Sequence, residues 1–64
     1  MLRNMAQLTV NSFVRLNTDE FELFKKDTIG QIVGLYMEQV LVRLPKYDGG
    51  IIDYWFDAKY LEKM

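Results

Sequence analysis

The chain has 64 residues, which is enough for one small domain and too few for a second. It contains no cysteine and no histidine, which excludes disulfides, thiolate metal sites and the commonest general base. Eight basic and nine acidic residues give a formal net charge of −1, which is not the basic balance typical of domains that bind nucleic acid or anionic membranes. Half of the residues are hydrophobic and 14% are aromatic, so the chain carries enough apolar surface to fold.

Residues 1–7 show no periodic pattern and are interpreted as a loose N-terminal segment, which leaves residues 8–64 as a single folded domain. No apolar run approaches the roughly 18 residues that span a bilayer, so membrane insertion is not expected. The N-terminus is too short and polar to resemble a signal peptide. The expected location is therefore the cytoplasm or the interior of an organelle.

The first predicted strand begins in an alternating stretch that runs from position 8 to position 16. Period-two alternation is typical of a strand, and the pattern is most regular over 12–16. Polar residues at 17–19 then predict a turn, because short polar side chains compete for backbone hydrogen bonds. The residues expected on one face of this strand are Leu8, Val10, Ser12, Val14 and Leu16.

The segment 20–26 fits either a short strand or a single helical turn after an Asp19 cap, and it is too short for an independent helix. We predict that the loop at 17–27 is instead irregular and partly extended. Its aromatic residues Phe21 and Phe24 are expected to fold onto the sheet, and Lys25 to Asp27 form a solvated turn.

Two apolar, β-branched runs at the centre of the chain predict a β-hairpin. Its strands are placed at 29–36 and 39–44, on either side of a short polar break. Gly30 and Gly34 inside the first run indicate a bulge, a bend or a close backbone approach. In the second run, Val40, Val42 and Leu44 are predicted to point inward.

Pro45 ends the hairpin, since proline cannot donate a ladder hydrogen bond, and 46–50 form a glycine-containing turn. A fourth strand is predicted at 51–56, followed by a tight helical turn capped by Asp57. Leu61 is then expected to return to the core, and 62–64 form a short tail that ends a brief fifth strand. Positions 54, 55, 58 and 61 would also fit a helical face, but period two elsewhere in the chain favours strands. The predicted core is Val14, Leu16, Ile32, Val40, Val42, Phe56 and Leu61.

This order of elements resembles the SH3-like barrel family over roughly residues 12–62. The resemblance is carried by the segments Gly30-Gln31-Ile32-Val33, Val40-Leu41-Val42-Arg43-Leu44 and Trp55-Phe56 with Leu61-Glu62. It implies an all-β fold, a small antiparallel barrel of about five strands with a short helical turn before the last strand. Within the family the chain is most similar to the photosystem I reaction-centre subunit IV type and to KOW-type small barrels. The former are non-catalytic docking subunits, although here the loop is acidic where a ferredoxin-docking surface would be basic.

The resemblance suggests a non-catalytic protein-interaction module, an accessory or docking subunit of a larger complex. A rigid aromatic ring buries much area at small entropy cost, so Phe21, Phe24 and Trp55 are predicted to anchor a protein partner. Exposed carboxylates at Asp19, Glu20 and Glu22 would steer a basic partner. A competing interpretation has Trp55 covering the open end of the barrel beneath the loop.

Other functions are weighed against this one. A KOW-like barrel would bind nucleic acid or the transcription machinery through basic residues, here Arg15, Lys25, Lys26, Arg43 and Lys46. A polyproline-binding surface would need a tyrosine-rich first loop, which is missing. The carboxylates fall at turns and caps, and a barrel this small has no room for a substrate. No catalytic residue, metal, cofactor or small-molecule substrate is therefore predicted.

Overall fold

The computed structural model describes residues 8–64, and the interpretation of 1–7 as a loose segment lies outside the described residues. The described chain forms one antiparallel sheet in the order β4-β3-β2-β1-β5, with β4 and β5 at its two edges. The sheet is open, since β4 and β5 do not pair, but the all-β fold with a helical turn before the last strand is confirmed. The strands are β1 (Phe13–Leu16), β2 (Ile29–Tyr36), β3 (Gln39–Pro45), β4 (Ile51–Asp57) and β5 (Leu61–Lys63), with a 3-10 turn at Ala58–Tyr60.

The central hairpin of β2 and β3 contains the predicted irregularity. Ile32 pairs with Val42 and Gly34 pairs with Leu41, so Val33 is an extra residue that forms a bulge. Such a bulge bends the strand and increases its twist, which lets a short sheet wrap around its own core.

The predicted close backbone approach is found at Gly30 in β2. A Cβ atom at this residue would lie 2.5 Å from Cγ1 of Val42 and 2.8 Å from the carbonyl oxygen of Arg43. Only glycine fits here without displacing the atoms of β3. The turn between β3 and β4 is likewise confirmed, with Gly49 and Gly50 both at positive φ.

Strand β1 is shorter than the sequence alternation suggested. Residues Thr9 to Ser12 form a turn in which Asn11 has a φ of 80° and the Ser12 hydroxyl donates to the Thr9 carbonyl at 2.6 Å. The expectation that Val10 shares the inward face was wrong, because the turn rotates its side chain into solvent, where it is 46% exposed. Leu8, before the turn, is buried.

The core lies on the concave face of the sheet, and all seven predicted core residues are buried there. Three further residues complete it: Leu8, Phe24 and Leu44. The loop at 17–28 crosses this face, and its backbone is fixed at both ends by bonds from Leu16 N–H to Thr28 and from Asn17 N–H to Tyr60. A loop therefore supplies the cover that a second layer supplies in larger domains.

The last elements follow the sequence prediction closely. The Asp57 carboxylate accepts the Lys59 N–H at 3.0 Å and so caps the 3-10 turn. The chain then returns to the core at Leu61, and β5 pairs with β1.

Candidate functional site

Strand β4 separates two groups of aromatic residues, because successive side chains of a strand point to opposite faces. Phe56 is buried on the inner face, and Tyr54 on the same face is half-buried. Trp55 lies between them on the outer face, where it pairs with Leu41 of β3.

The loop aromatics pack only on the inner face of β4. Phe21 stacks edge-on against Phe56 and Tyr60, with ring centroids 5.2 and 5.1 Å apart. Phe24 lies 5.1 Å from the Tyr54 ring and is 1% exposed. Phe24 is therefore not accessible to anchor a partner, contrary to the expectation, because its ring is buried in the core. Phe21 remains half-buried at the margin of this cluster.

Trp55 is 47% exposed on the outer face, away from the loop. Its indole reaches across β3, since a Cβ atom built on Gly34 would lie 3.9 Å from Cη2 of Trp55 and 3.5 Å from Cδ2 of Leu41. Trp55 does not cover an open end beneath the loop, so that interpretation was wrong. The predicted joint surface of loop and Trp55 is likewise two separate surfaces on opposite faces of β4.

We define the outer patch as Gly34, Leu41 and Trp55 together with the neighbouring pair Arg43 and Asp53. The guanidinium of Arg43 donates from Nε and Nη2 to the two carboxylate oxygens of Asp53 at 2.8 and 2.9 Å. This hydrogen-bonded pair lowers the pKa of Asp53 and raises that of Arg43. The outer patch is therefore an apolar centre with a charge-neutralised border.

The predicted acidic residues of the loop are all exposed: Asp19, Glu20 and Glu22. They flank Phe21, whose ring lies on the inner side of β4. These carboxylates therefore belong to the loop on the inner side of the sheet, whereas Trp55 lies on the outer side.

Both arginines proposed for nucleic-acid binding are engaged by carboxylates. Arg15 bonds to Glu62 and lies 3.9 Å from Asp27, and the bond to Glu62 is the main cause of its raised pKa. Arg43 is paired with Asp53. Both arginines therefore already have carboxylate partners within the described chain.

Within residues 8–64, no group of three or more acidic side chains is placed to hold a metal ion. A shallow groove of about 280 Å³ lies between the loop and the β3–β4 turn, lined by Glu22, Leu23, Tyr47 and Asp48. Lys25 lies over the Tyr47 ring at 5.1 Å beside it. The two carboxylates that line the groove, Glu22 and Asp48, are exposed.

No helix in the described part of the chain is long and apolar enough to cross a membrane.

Comparison with known proteins identifies no relative. No protein-family model matches the chain, and no match is found among curated proteins or among solved structures.

The pairing of Leu41 with Trp55 was not predicted, although the position of the β3–β4 turn in the sequence indicates it. The β3–β4 hairpin folds about Asp48, so residues at equal distances from this turn pair with each other. This register alone places Leu41 beside Trp55. Gly34 could not be added from the sequence, because the bulge at Val33 shifts the register of β2 by one residue.

Proposed function

We propose that this protein is a non-catalytic interaction module that binds a protein partner through the outer patch, as an accessory or docking subunit of a larger complex. The observation that carries this proposal is the position of Trp55, half-exposed at the middle of the outer patch. Tryptophan is the residue most enriched among interface hot spots, and its rigid ring loses little entropy on binding.

The surroundings of Trp55 support the same function. Gly34 has no side chain and Leu41 is the cross-strand partner of Trp55, so a partner could approach the ring over three neighbouring strands. The Arg43–Asp53 pair forms a polar border, as is typical of interfaces with an apolar centre. A small domain has little spare apolar surface, so leaving this indole in water has a cost that binding would recover.

We further propose that the sheet belongs to the SH3-like barrels. The strand order, in which β5 pairs with β1, supports this, as does the 3-10 turn before β5. The Ala58 N–H also donates to the Glu38 carbonyl and so ties the end of β4 to the β2–β3 turn. Fold likeness carries little information about function, so the functional proposal rests on the outer patch.

The test is an affinity capture from the native source followed by quantitative mass spectrometry, with the Trp55→Ala variant as the main comparison. Phe13→Ala is the matched control, since Phe13 is an aromatic residue of similar exposure (51%) on distant strand β1. We expect one defined partner to be lost by Trp55→Ala and kept by Phe13→Ala, with both variants folded by circular dichroism.

Equal recovery of every partner by the Trp55→Ala variant would refute the proposal. Repeating the capture at high salt distinguishes the proposed protein interface from nucleic-acid binding, because nucleic-acid binding must weaken steeply as the salt concentration rises. An interface centred on an indole should instead persist.

A further inference from the structure

Strand β4 is a free edge, and the register of its hairpin shows which backbone groups it leaves unpaired. The Lys46 N–H donates to the Gly50 carbonyl at one end, and the Ala58 N–H donates to the Glu38 carbonyl at the other. Hydrogen-bonded pairs alternate with non-bonded pairs along an antiparallel ladder. In this register the even-numbered residues of β4 bond to β3, and the odd-numbered residues turn their N–H and C=O groups to the free edge. These are Ile51, Asp53, Trp55 and Asp57.

No hydrogen bond within the described chain reaches the backbone of Ile51, Asp53 or Trp55 from this free side. Proteins usually protect such an edge with charged side chains, lysine above all, with proline or with a very short strand. Strand β4 has seven residues and contains neither lysine nor proline, whereas the opposite edge strand β5 has three residues. Among residues 8–64, nothing pairs with the long edge of this sheet, so it can serve as a template for another strand.

The charge beside this edge indicates what kind of strand it accepts. The segments 17–24 and 51–57 contain no Lys or Arg. Their carboxylates are Asp19, Glu20 and Glu22 in the loop and Asp57 in β4, besides Asp53, whose charge Arg43 already neutralises. A second copy of this chain would present the same acidic patch to itself, since symmetric interfaces join identical surfaces. A basic segment is therefore favoured over self-association.

We propose that β4 adds an extended segment of the partner, with alternating apolar and basic residues, as a sixth strand of the sheet. This inference rests on the proposed function and specifies how the partner binds. Backbone hydrogen bonds to Ile51, Asp53 and Trp55 provide the attachment, and alternate side chains provide selectivity. Apolar side chains of the added strand lie on the outer face beside Trp55, and basic side chains lie on the other face, toward the acidic loop.

The test uses a blocked peptide of alternating lysine and valine with seven residues, the length of β4. A peptide with glutamate in place of lysine is the matched control. Amide hydrogen exchange of the whole protein is measured by NMR with and without saturating peptide. One added hydrogen bond should slow exchange by about tenfold at the amides of Ile51, Asp53 and Trp55. The amides of Ile52 and Tyr54, which already bond to β3, should not respond.

A chain synthesised with an N-methyl group on the Asp53 amide keeps every side chain but blocks the edge. It should lose the response to the lysine peptide while its circular dichroism spectrum stays unchanged. Protection that is absent, that lacks the alternation, or that the glutamate peptide produces equally would overturn the inference. Protection that grows with protein concentration without peptide would also overturn it, in favour of a second copy.

The two proposals fail separately. If Trp55→Ala loses the partner but the lysine peptide gives no alternating protection, the outer patch still stands as the binding surface and strand addition is excluded. Alternating protection is measured on the unsubstituted protein, so it does not depend on the outcome of the capture experiment.

Discussion

Phe24 and Trp55 are both large aromatic residues, yet one closes the core and the other faces water. Phe24, from the loop, packs against Tyr54 and Phe56 in the core, whereas Trp55 pairs with Leu41 on the outer face. The cost of truncating each side chain to alanine should differ accordingly. Removal of a buried ring leaves a cavity, but removal of a half-exposed ring does not.

Phe24→Ala should lower the free energy of unfolding by about 3–5 kcal/mol, which would leave a domain of this size largely unfolded. Trp55→Ala should stay folded and cooperative, with a loss of about 1 kcal/mol or less, as at most surface positions. Urea titrations followed by circular dichroism provide the comparison. Equal losses in the two variants would contradict the assignment of the two faces of β4.

The Arg43–Asp53 pair makes stability depend on pH. The hydrogen bond from Arg43 lowers the pKa of Asp53 in the folded protein below its ordinary value of 3.8. The contribution is therefore fully present above that value and is lost as pH falls through the lowered pKa. The pair is exposed, so the effect should be small and should weaken with salt.

We expect the urea midpoint of the wild type to exceed that of Asp53→Asn at neutral pH, and the difference to shrink as pH falls below 3.8. Parallel titrations of the two proteins across this range measure the effect. A difference that does not change with pH would show that the carboxylate charge contributes nothing.

At the scale of the elements, regular strands were predictable from the sequence and the irregular segments were not. The bounds of β2 and the cap at Asp57 follow from local patterns, namely period two, glycine placement and a capping side chain. The turn at Asn11 interrupts a stretch whose alternation of apolar and polar residues is continuous in the sequence. It could not be predicted, because a positive φ leaves no periodic pattern in the sequence. Burial of Phe24 depends on contacts with β4, about thirty residues away, which local patterns do not report.

The same limit applies to the candidate site. The sequence singled out Trp55 and the acidic residues of the loop, but it could not show that they lie on opposite faces of β4. Loop residues follow no fixed period, so the face that a loop covers is decided by tertiary packing.

Atoms of β3 fill the space where a Cβ at Gly30 of β2 would lie, and this contact gives a prediction at the scale of elements. Gly30→Ala should destabilise the protein by about 1–3 kcal/mol, the usual cost of overpacking, because the nearby Arg43 carbonyl is backbone and cannot rotate away. Gly34→Ala is the matched control. Its Cβ would lie 3.3 Å from Cβ of Leu41 and 3.9 Å from Cη2 of Trp55, without the contacts below 3.0 Å that Gly30 would make, so its cost should be smaller.

Thermal melts of both variants check this order. A Gly30→Ala protein as stable as Gly34→Ala would mean that β2 and β3 can separate locally without cost.

For the whole molecule, the single core on the concave face is the main source of stability. Val42 is 0% exposed at its centre, so Val42→Asp would bury an unpaired charge and should abolish cooperative folding. Val10→Asp makes the same chemical change in an exposed turn and should leave the protein folded. One-dimensional proton NMR distinguishes the two, and a dispersed spectrum for Val42→Asp would contradict the assigned core.

The order of the strands in the sheet also suggests the order in which they form. Neighbours β2, β3 and β4 are consecutive in the chain, so each pairing closes only a short turn. The pairing of β1 with β5 joins Arg15 to Glu62, across almost the whole described chain, and closing that long loop costs more entropy. The three-strand meander can therefore form the folding nucleus, with β1 and β5 joining late. If so, substitutions in β5 would accelerate unfolding and leave the folding rate nearly unchanged.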